Sequence, residues 1–524
     1  MLSEIDLNLE RMQRIKVPGF FMTKDQTSRP RTPHLVLAAT ILGSGMAFLD
    51  STVVNLALPT LQKTYGANVS IVQWVVEAYA LAAASLLLVG GAIGDRYGRK
   101  KVYVYGILLF TISSMACGSA ANTSWLIAAR AAQGAGAALL IPGSLALITS
   151  SFPEKERGRA IGTWSGFSAI TTAIGPIGGG WFIEHLSWRW VFFLNLPLAV
   201  GALALCANIP ETRDESARER LDWIGAALTA AGLCGVTYAL IEWPSQKQHH
   251  TPALIGVGGI LALAALGLVE QRVEAPMIPF GLFRSRNFAG ANLLTFFVYA
   301  PLGALLFLTP LDLIQIQHYS ATKAGAAFSP FVLIMLALSR WAGRLVERFG
   351  PRLPLTFGPL ITAAGYALFA LAPQDGHYWR SFFPAVAVTS LGMTVTVAPL
   401  TTTVMNAAPK SHAGVASGIN NAVSRVASLI AVAVFGMLLA VIFIRTLDRH
   451  LAVLSLPPAE ISRIHAGWDQ LAAIRVSDPR AVEAIDASFI DAYRDVIWLA
   501  VFSILIGAGT GWYVIRPTEE WLQR

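Results

Sequence analysis

Long apolar runs alternate with short polar turns along nearly the whole chain, and the length of each run is informative. A helix rises 1.5 Å per residue, so about 20 apolar residues are needed to cross a hydrocarbon layer about 30 Å thick. Runs of that kind occur at roughly 35–58, 71–93, 102–120, 124–148, 160–183 and 188–209. Two follow at 222–243 and 252–269, and six more at 288–312, 322–343, 353–372, 379–406, 414–444 and 490–515. The pattern predicts an all-α polytopic membrane protein of fourteen spans, an even number that puts both termini on one side. Residues 1–34 are polar and basic (Arg11, Arg14, Lys16, Arg29, Arg31) and read as a cytoplasmic tail, not a cleaved signal peptide.

Composition narrows the class. Of 524 residues, 54% are hydrophobic and only 13% charged, where a soluble domain carries about a quarter. The net charge of +8 does not mark a nucleic-acid partner, because the basic residues recur in short loops and not on one face. With the N-terminus inside, seventeen Lys and Arg fall in short inner loops, and the short outer loops hold only Lys63, Arg189, Lys247, Lys323 and Arg380. This asymmetry places both termini in the cytoplasm and the chain in the cytoplasmic (inner) membrane. Cys117, Cys206 and Cys234 lie within apolar runs and read as packing residues. No metal site or cofactor is expected.

Two turns echo one another. Gly91–Lys101 reads GAIGDRYGRKK and Gly343–Arg352 reads GRLVERFGPR, each with an acid, Arg, an aromatic and Gly in order. Equivalent turns predict a duplicated architecture. The bundles are expected at 35–209 and 288–515, with two inserted spans and their loops at 210–287 and a cytoplasmic tail at 516–524. The second bundle includes an extracytoplasmic segment, 445–489, with mixed charge, Pro457-Pro458 and a helix-like stretch around Ile461–Ile474. It reads as a solvated connector, with a lid or a docking surface for a periplasmic adaptor protein as the alternatives.

The fifth run contains GFSAITTAIGPIGGG (Gly166–Gly180). Pro176 removes a helical hydrogen bond, so a bend is expected there. Thr171, Gly175 and Gly179 fall four apart and make a small-residue face that another helix can approach closely. With FLDSTVVNLALP (Phe48–Pro59), GAIGDRYGRKK, LIAARAAQGAGAA (Leu126–Ala138) and WRWVFFLNLP (Trp188–Pro197), it gives five motifs in order. Over residues 35–515 the sequence thereby resembles the major facilitator superfamily, in its fourteen-helix drug:proton antiporter branch of the EmrB/QacA type. The resemblance implies a major facilitator fold of two six-helix bundles plus two additional spanning helices. It also implies proton-coupled export of amphipathic compounds. By the same resemblance Asp95, Arg96, Gly98 and Arg99 form a cytoplasmic latch; Thr171, Gly175, Pro176 and Gly179 are expected to form a hinge and seal, with a generic small-residue packing face as the alternative. Thr171 stands where the motif usually opens with Gly, and Glu77 and Asp312 stand where many relatives are uncharged.

Ionisable groups at membrane depth are costly and usually functional. Asp50 lies about 22 Å from the inner surface, Arg130 about 9 Å below the outer one, and Glu77 at about the same level. These three are expected to form a proton-coupling cluster in the outer half of the first bundle. A carboxylate beside Arg stays ionised and takes a proton when the pair separates; a permanent structural ion pair is the alternative. Glu77 is also the candidate contact for a substrate cation, with Trp74, Tyr79, Phe296, Phe297 and Tyr299 as candidate aromatic walls. Asp312 is expected near the outer mouth in solvent, and Arg425 deep with no identified partner.

Gly134-Ala135-Gly136 superficially matches a dinucleotide fingerprint but has no preceding strand. The absence of a Walker sequence argues against ATP as energy source, and that of a nucleophile elbow against an enzyme. The leading expectation is multidrug efflux. The alternatives are a dedicated exporter of one native metabolite, such as a siderophore, antibiotic or sugar-like product, and a non-transporting membrane sensor.

Overall fold

The computed structural model describes residues 33–213, 222–244, 249–273, 280–373, 377–408 and 413–516. The terminal tails and the basic residues Arg218, Arg220, Lys247 and Lys410 lie outside them. Every regular element among the described residues is helical. The first six long helices are α1 (Pro33–Tyr65), α2 (Val69–Tyr97), α3 (Arg99–Gly118), α4 (Thr123–Ser151), α5 (Glu154–His185) and α6 (Asn195–Ala207). Next come α7 (Trp223–Glu242) and α8 (His250–Glu270). The last six are α9 (Arg286–Leu311), α10 (Ser329–Gly343), α11 (Arg352–Leu371), α12 (Phe383–Asn406), α13 (Ala413–Ala452) and α14 (Pro479–Tyr513). Thirteen candidate spans among the described residues are long and apolar enough to cross a membrane. The remaining run, α5, has the length at 32 residues, but Gly, Ser and Thr dilute its hydrophobicity.

Side-chain caps start several of these helices. Asn68 Oδ1 accepts from the Ile71 amide at 2.9 Å, Asn122 Oδ1 from Trp125 at 2.8 Å, and Asp222 Oδ1 from Gly225 at 2.7 Å. Each satisfies a backbone donor that the first helical turn leaves free. Two expected spans are interrupted. The run at 188–209 forms a short turn, Trp190–Phe193, before α6, and the run at 322–343 forms Ala321–Ala327 before α10. Pro330 sits in the first turn of α10, where its missing N–H costs nothing.

The same packing scheme appears twice. α1 packs on α5 and α6, α2 on α4, and α3 on α4; likewise α9 packs on α13 and α14, α10 on α12, and α11 on α12. The two halves meet where α2 lies along α13 and where α5 lies along α10 and the Ala321–Ala327 turn. The inserted helices α7 and α8 pack on each other, and α7 rests on both α2 and α13. The echoed turns share a backbone feature too. Gly98 (φ 114°) and Gly350 (φ 69°) adopt positive φ at equivalent places, a conformation that suits glycine.

The small residues of α5 divide between two faces. Thr171, Gly175 and Gly179 turn toward α1: a Cβ on Gly45 would lie 3.7 Å from Thr171, and one on Gly175 3.2 Å from Thr52 Oγ1. A Cβ on Gly179 would meet Val53. Pro176 and Gly180, also four apart, face the other half. A Cβ on Gly325 would meet the Pro176 carbonyl, and one on Gly180 the Ala321 carbonyl. Helix α5 continues through Pro176 without a break. These contacts lie at the end of the bundle where α1 finishes, here termed the far end; α1 begins at the near end. At the far end Gln315 Nε2 also donates to Gln62 Oε1 across the halves at 2.7 Å, and Gln73 Nε2 to the Val432 carbonyl at 2.9 Å. The far end is closed.

The connector between the last two spans is shorter than the expected 445–489. α13 runs on to Ala452 and α14 begins at Pro479. The charges that suggested a loop occupy the outer faces of these extensions, while Leu447, Leu451, Ala481 and Ile485 continue the buried face. Between them, helix Pro458–Ala466 and the turn Trp468–Ala473 fold back, with Leu471 buried at the far end.

Overpacking a tight helix contact costs about 1–3 kcal/mol, or roughly 5- to 150-fold in a conformational equilibrium. Gly325→Val is therefore expected to open the far end. Spin labels at Lys63 and Lys323, in a background without the three cysteines, should show longer distances. Gly162→Val, where a Cβ meets nothing within 4 Å, should leave the distances unchanged.

Candidate functional site

A buried polar centre sits among α1, α2 and α4. Asp50 and Arg130 are 0% and 1% exposed. Arg130 Nη1 donates to Asp50 Oδ2 at 2.5 Å and to Gln133 Oε1 at 2.8 Å, and Arg130 Nε donates to the Val75 carbonyl at 2.9 Å. Gln133 Nε2 donates in turn to Asp50 Oδ1 at 2.8 Å. The guanidinium lies over the Tyr79 ring at 4.3 Å, and Tyr79 Oη donates to the Ala47 carbonyl at 3.3 Å. Both carboxylate oxygens and both sides of the Gln133 amide are thus used. Such complete pairing is what lets an ion pair persist away from water. Gln133, three residues after Arg130 and so one turn along the same face, is the member that sequence reasoning missed. Its position in RAAQGAG was the available signal.

Glu77 does not join this centre. It is fully buried, and both carboxylate oxygens lack a hydrogen-bond partner. It follows Gln73, which bonds the Val432 carbonyl of α13, by four residues and precedes Ala80, which packs against a cluster that α2, α7 and α13 share, by three. Glu77 therefore lies on the face of α2 turned to the other half. An ionised carboxylate there is uncompensated, so the position is suited to a proton or an incoming cation.

The proposed aromatic walls are mostly engaged elsewhere. Trp74 Nε1 donates to Glu242 Oε1 of α7 at 3.0 Å, and its ring packs on Tyr238. Tyr79 belongs to the Arg130 centre. Phe296 and Phe297 pack edge to face on each other at 5.6 Å, and Phe296 and Tyr299 are half-buried against the core. A cavity of about 80 Å³ between the halves is lined instead by Thr52, Asn55, Thr172, Pro176, Phe328 and Phe331, among others. Asn55 Oδ1 is buried there without a partner. Arg425 forms no ion pair among the described residues; its guanidinium is within electrostatic range of Tyr79.

Asp312 corrects an expectation. It is fully buried, not solvated, because the chain makes a π-helical turn (Asp312–Ile316) after α9 and α14 packs over it.

At the near end, Asp95 Oδ1 accepts from Arg99 Nε at 2.7 Å. The Glu211 carboxylate, beyond α6, accepts from the backbone amides of Lys100 and Lys101 at 3.0 and 2.9 Å. An acid at a helix start satisfies its free donors and its dipole. A Cβ on Gly98 would lie 2.8 Å from the Glu211 carboxyl carbon and displace that side chain, and the φ of 114° itself favours glycine. Arg96 lies over the Tyr97 ring at 5.1 Å. Glu211 carried no local motif and was not anticipated.

Removing Gln133 should expose how far the centre depends on it. Hydrogen bonds to charged groups contribute about 1.5–3 kcal/mol, so Gln133→Leu is expected to lower the thermal unfolding temperature in detergent by several degrees. Arg130→Lys, which keeps the charge but loses the fork, should do the same; an unchanged temperature in both would contradict this account of the pairing.

The Major Facilitator Superfamily model matches residues 40–432. The multidrug resistance protein Stp of Mycobacterium tuberculosis is 35% identical over 430 residues, covering 80% of this chain and 78% of that one. The puromycin resistance protein pur8 of Streptomyces alboniger is 36% identical, covering 76% and 79% respectively. Among solved structures, a bacterial homolog of the human lysosomal transporter Spinster, inward-facing and unoccupied, superposes with TM-score 0.67 at 18% identity. That match covers 94% of this chain and 98% of the other and speaks to the fold alone.

Proposed function

The chain belongs to the Major Facilitator Superfamily, and within it we propose a proton-coupled antiporter that exports amphipathic compounds, cations among them, by alternating access. Family membership supports a multi-pass membrane transporter acting on small molecules rather than an enzyme. The near end is assigned to the cytoplasm, with both termini, because Lys and Arg concentrate in its loops. The closed far end then makes this a state shut to the outside, which we assign as inward-facing. Resistance named in the two relatives supports export as the direction of work.

The observation that carries the reading is the fully paired, buried Asp50–Arg130 centre beside an unpaired Glu77. In the state described, Asp50 is ionised against Arg130. When the far end opens, the pair separates, Asp50 loses its compensating charge and takes a proton from the outside, and Arg130 keeps Gln133, the Val75 carbonyl and the Tyr79 face as partners. Return to the inward-facing state restores the pair and sends the proton to the cytoplasm. Glu77, on the face between the halves, attracts the cation; a second proton carrier is its other role. The Asp95–Arg99 turn, pinned by Glu211, is the latch that releases between states. Gly175 and Gly179 keep α5 tight on α1, while Pro176 and Gly180 form the seal with the other half.

The test is efflux of a fluorescent lipophilic cation from a pump-deficient host. Asp50→Asn is expected to lose protonophore-sensitive efflux by at least about tenfold, the ratio equivalent to 1.4 kcal/mol. Glu77→Gln should lose cations selectively while neutral compounds are retained. Full efflux by Asp50→Asn would refute the coupling role. Absence of efflux by a well-expressed wild type would favour a dedicated exporter of one compound, the reading that the single antibiotic in the name of the Streptomyces alboniger relative supports.

A further inference from the structure

A second buried carboxylate remains outside this scheme. Asp312 is 0% exposed, and neither carboxylate oxygen has a hydrogen-bond partner. It opens the π-helical turn Asp312–Ile316, a rare geometry that recurs at functional sites. The same turn carries Gln315, whose amide holds Gln62 of the other half at 2.7 Å. Carboxylate and far-end contact therefore belong to one short piece of backbone.

The groups around Asp312 have unused hydrogen-bonding capacity. α14 presents Tyr493 and Arg494, both within electrostatic range of Asp312. The Tyr493 hydroxyl meets Thr309 Oγ1 at 3.3 Å. Arg494 Nη2 donates weakly to the Ala372 carbonyl at 3.4 Å, and Arg494 Nε is buried without a partner. The Tyr366 hydroxyl of α11, which interacts with Tyr493, is likewise buried and unpartnered. Arg475, just beyond the Trp468–Ala473 turn, lines the far-end cavity with Gln315 and His318. His318 interacts with Asp486, His450 of α13 with Ser488 and Asp491, and Lys63 and Lys323 are exposed on α1 and the turn before α10.

An ionised carboxylate with no partner in such a place is strongly disfavoured, and the neighbouring guanidinium opposes a metal ion. A proton fits. We infer that Asp312 is a second proton-binding carboxylate, in the second half of the molecule, and that loss of its proton releases the Gln62–Gln315 contact and opens the far end. The proton passes to water on the far side and returns from it on closing, so this site gates without adding to the proton that Asp50 carries inward, and the carboxylate left behind pairs with Arg494. Reaching Arg494 shifts the π-helical turn and carries Gln315 away from Gln62. The inference rests on the proposed transport cycle for its direction, with the far end facing outward, but not on Asp50.

The experiment measures the spin-label distance between Lys63 and Lys323 positions in the full-length, cysteine-free chain, in liposomes, across about pH 5 to 9. The wild type is expected to shift several-fold toward the open far end as pH rises. Asp312→Asn, permanently neutral, should stay closed and lose that response, whereas Asp312→Glu should recover it. His318→Gln and Asp50→Asn should both keep it. A wild-type response in Asp312→Asn, or its loss in His318→Gln, would overturn the inference. Tyr366→Phe provides a test should Asp312→Asn fail to fold: a displaced midpoint supports the inference and an undisplaced one contradicts it. Efflux assays on the same variants separate the two claims. Normal efflux by Asp50→Asn removes the coupling centre alone, and an unaltered distance response in Asp312→Asn removes this site alone.

Discussion

A charge inside hydrocarbon must find its compensation within the protein, and the Asp50–Arg130 pair is where this chain meets that demand most completely. Removing either partner would leave the other buried and uncompensated, at a cost of about 3–5 kcal/mol in comparable soluble cases. Three helices are consequently held in register. α1 supplies the carboxylate, α4 the guanidinium and the bridging amide of Gln133, and α2 the Val75 carbonyl and the Tyr79 ring. A polar knot of this kind fixes one arrangement of the first half, and in the proposed cycle a proton undoes it. That combination of rigidity and a single chemical release suits a molecule that must alternate between two shapes.

Movement is assigned to a different set of contacts. Apolar helices gain little from one another in lipid, so close approach and backbone contact decide how they associate. α5 uses one stripe of small residues to stay on α1 and a neighbouring pair, Pro176 and Gly180, to touch the Ala321–Ala327 turn. The first contact lies within a half and the second between halves. The far-end contacts between halves are few and mostly involve neutral groups, Gln62 with Gln315 and Gln73 with the Val432 carbonyl. Neutral hydrogen bonds near a water interface contribute modestly, so the closure is strong enough to seal and weak enough to part.

Much of this was legible in the sequence. Run length and loop charge marked the spans, and the two turns GAIGDRYGRKK and GRLVERFGPR marked the duplication, which reappears as positive φ at Gly98 and Gly350. The common depth of Asp50 and Arg130 followed from counting residues along regular helices. Counting failed where the helix was not regular: the π-helical turn carries Asp312 inward, and the extensions of α13 and α14 take up residues whose charges suggested a loop. Partnerships between distant helices left no local signature. Nothing near Trp74 announces Glu242 on the inserted α7, and nothing near Gly98 announces Glu211. Glu77 was placed at the right level but not on the right face, since depth alone does not fix rotation about the helix axis.

The inserted pair α7 and α8 has a consequence of its own. The two halves meet along two seams related by the duplication, and α7 covers only the one between α2 and α13, packing Leu233 with Ala84 and Leu429. Among the described residues the other seam, between α5 and α10, has no such helix packed over it. Duplication gives the two seams one design, and the insertion makes them unequal: one lies behind α7 and, among the described residues, the other does not.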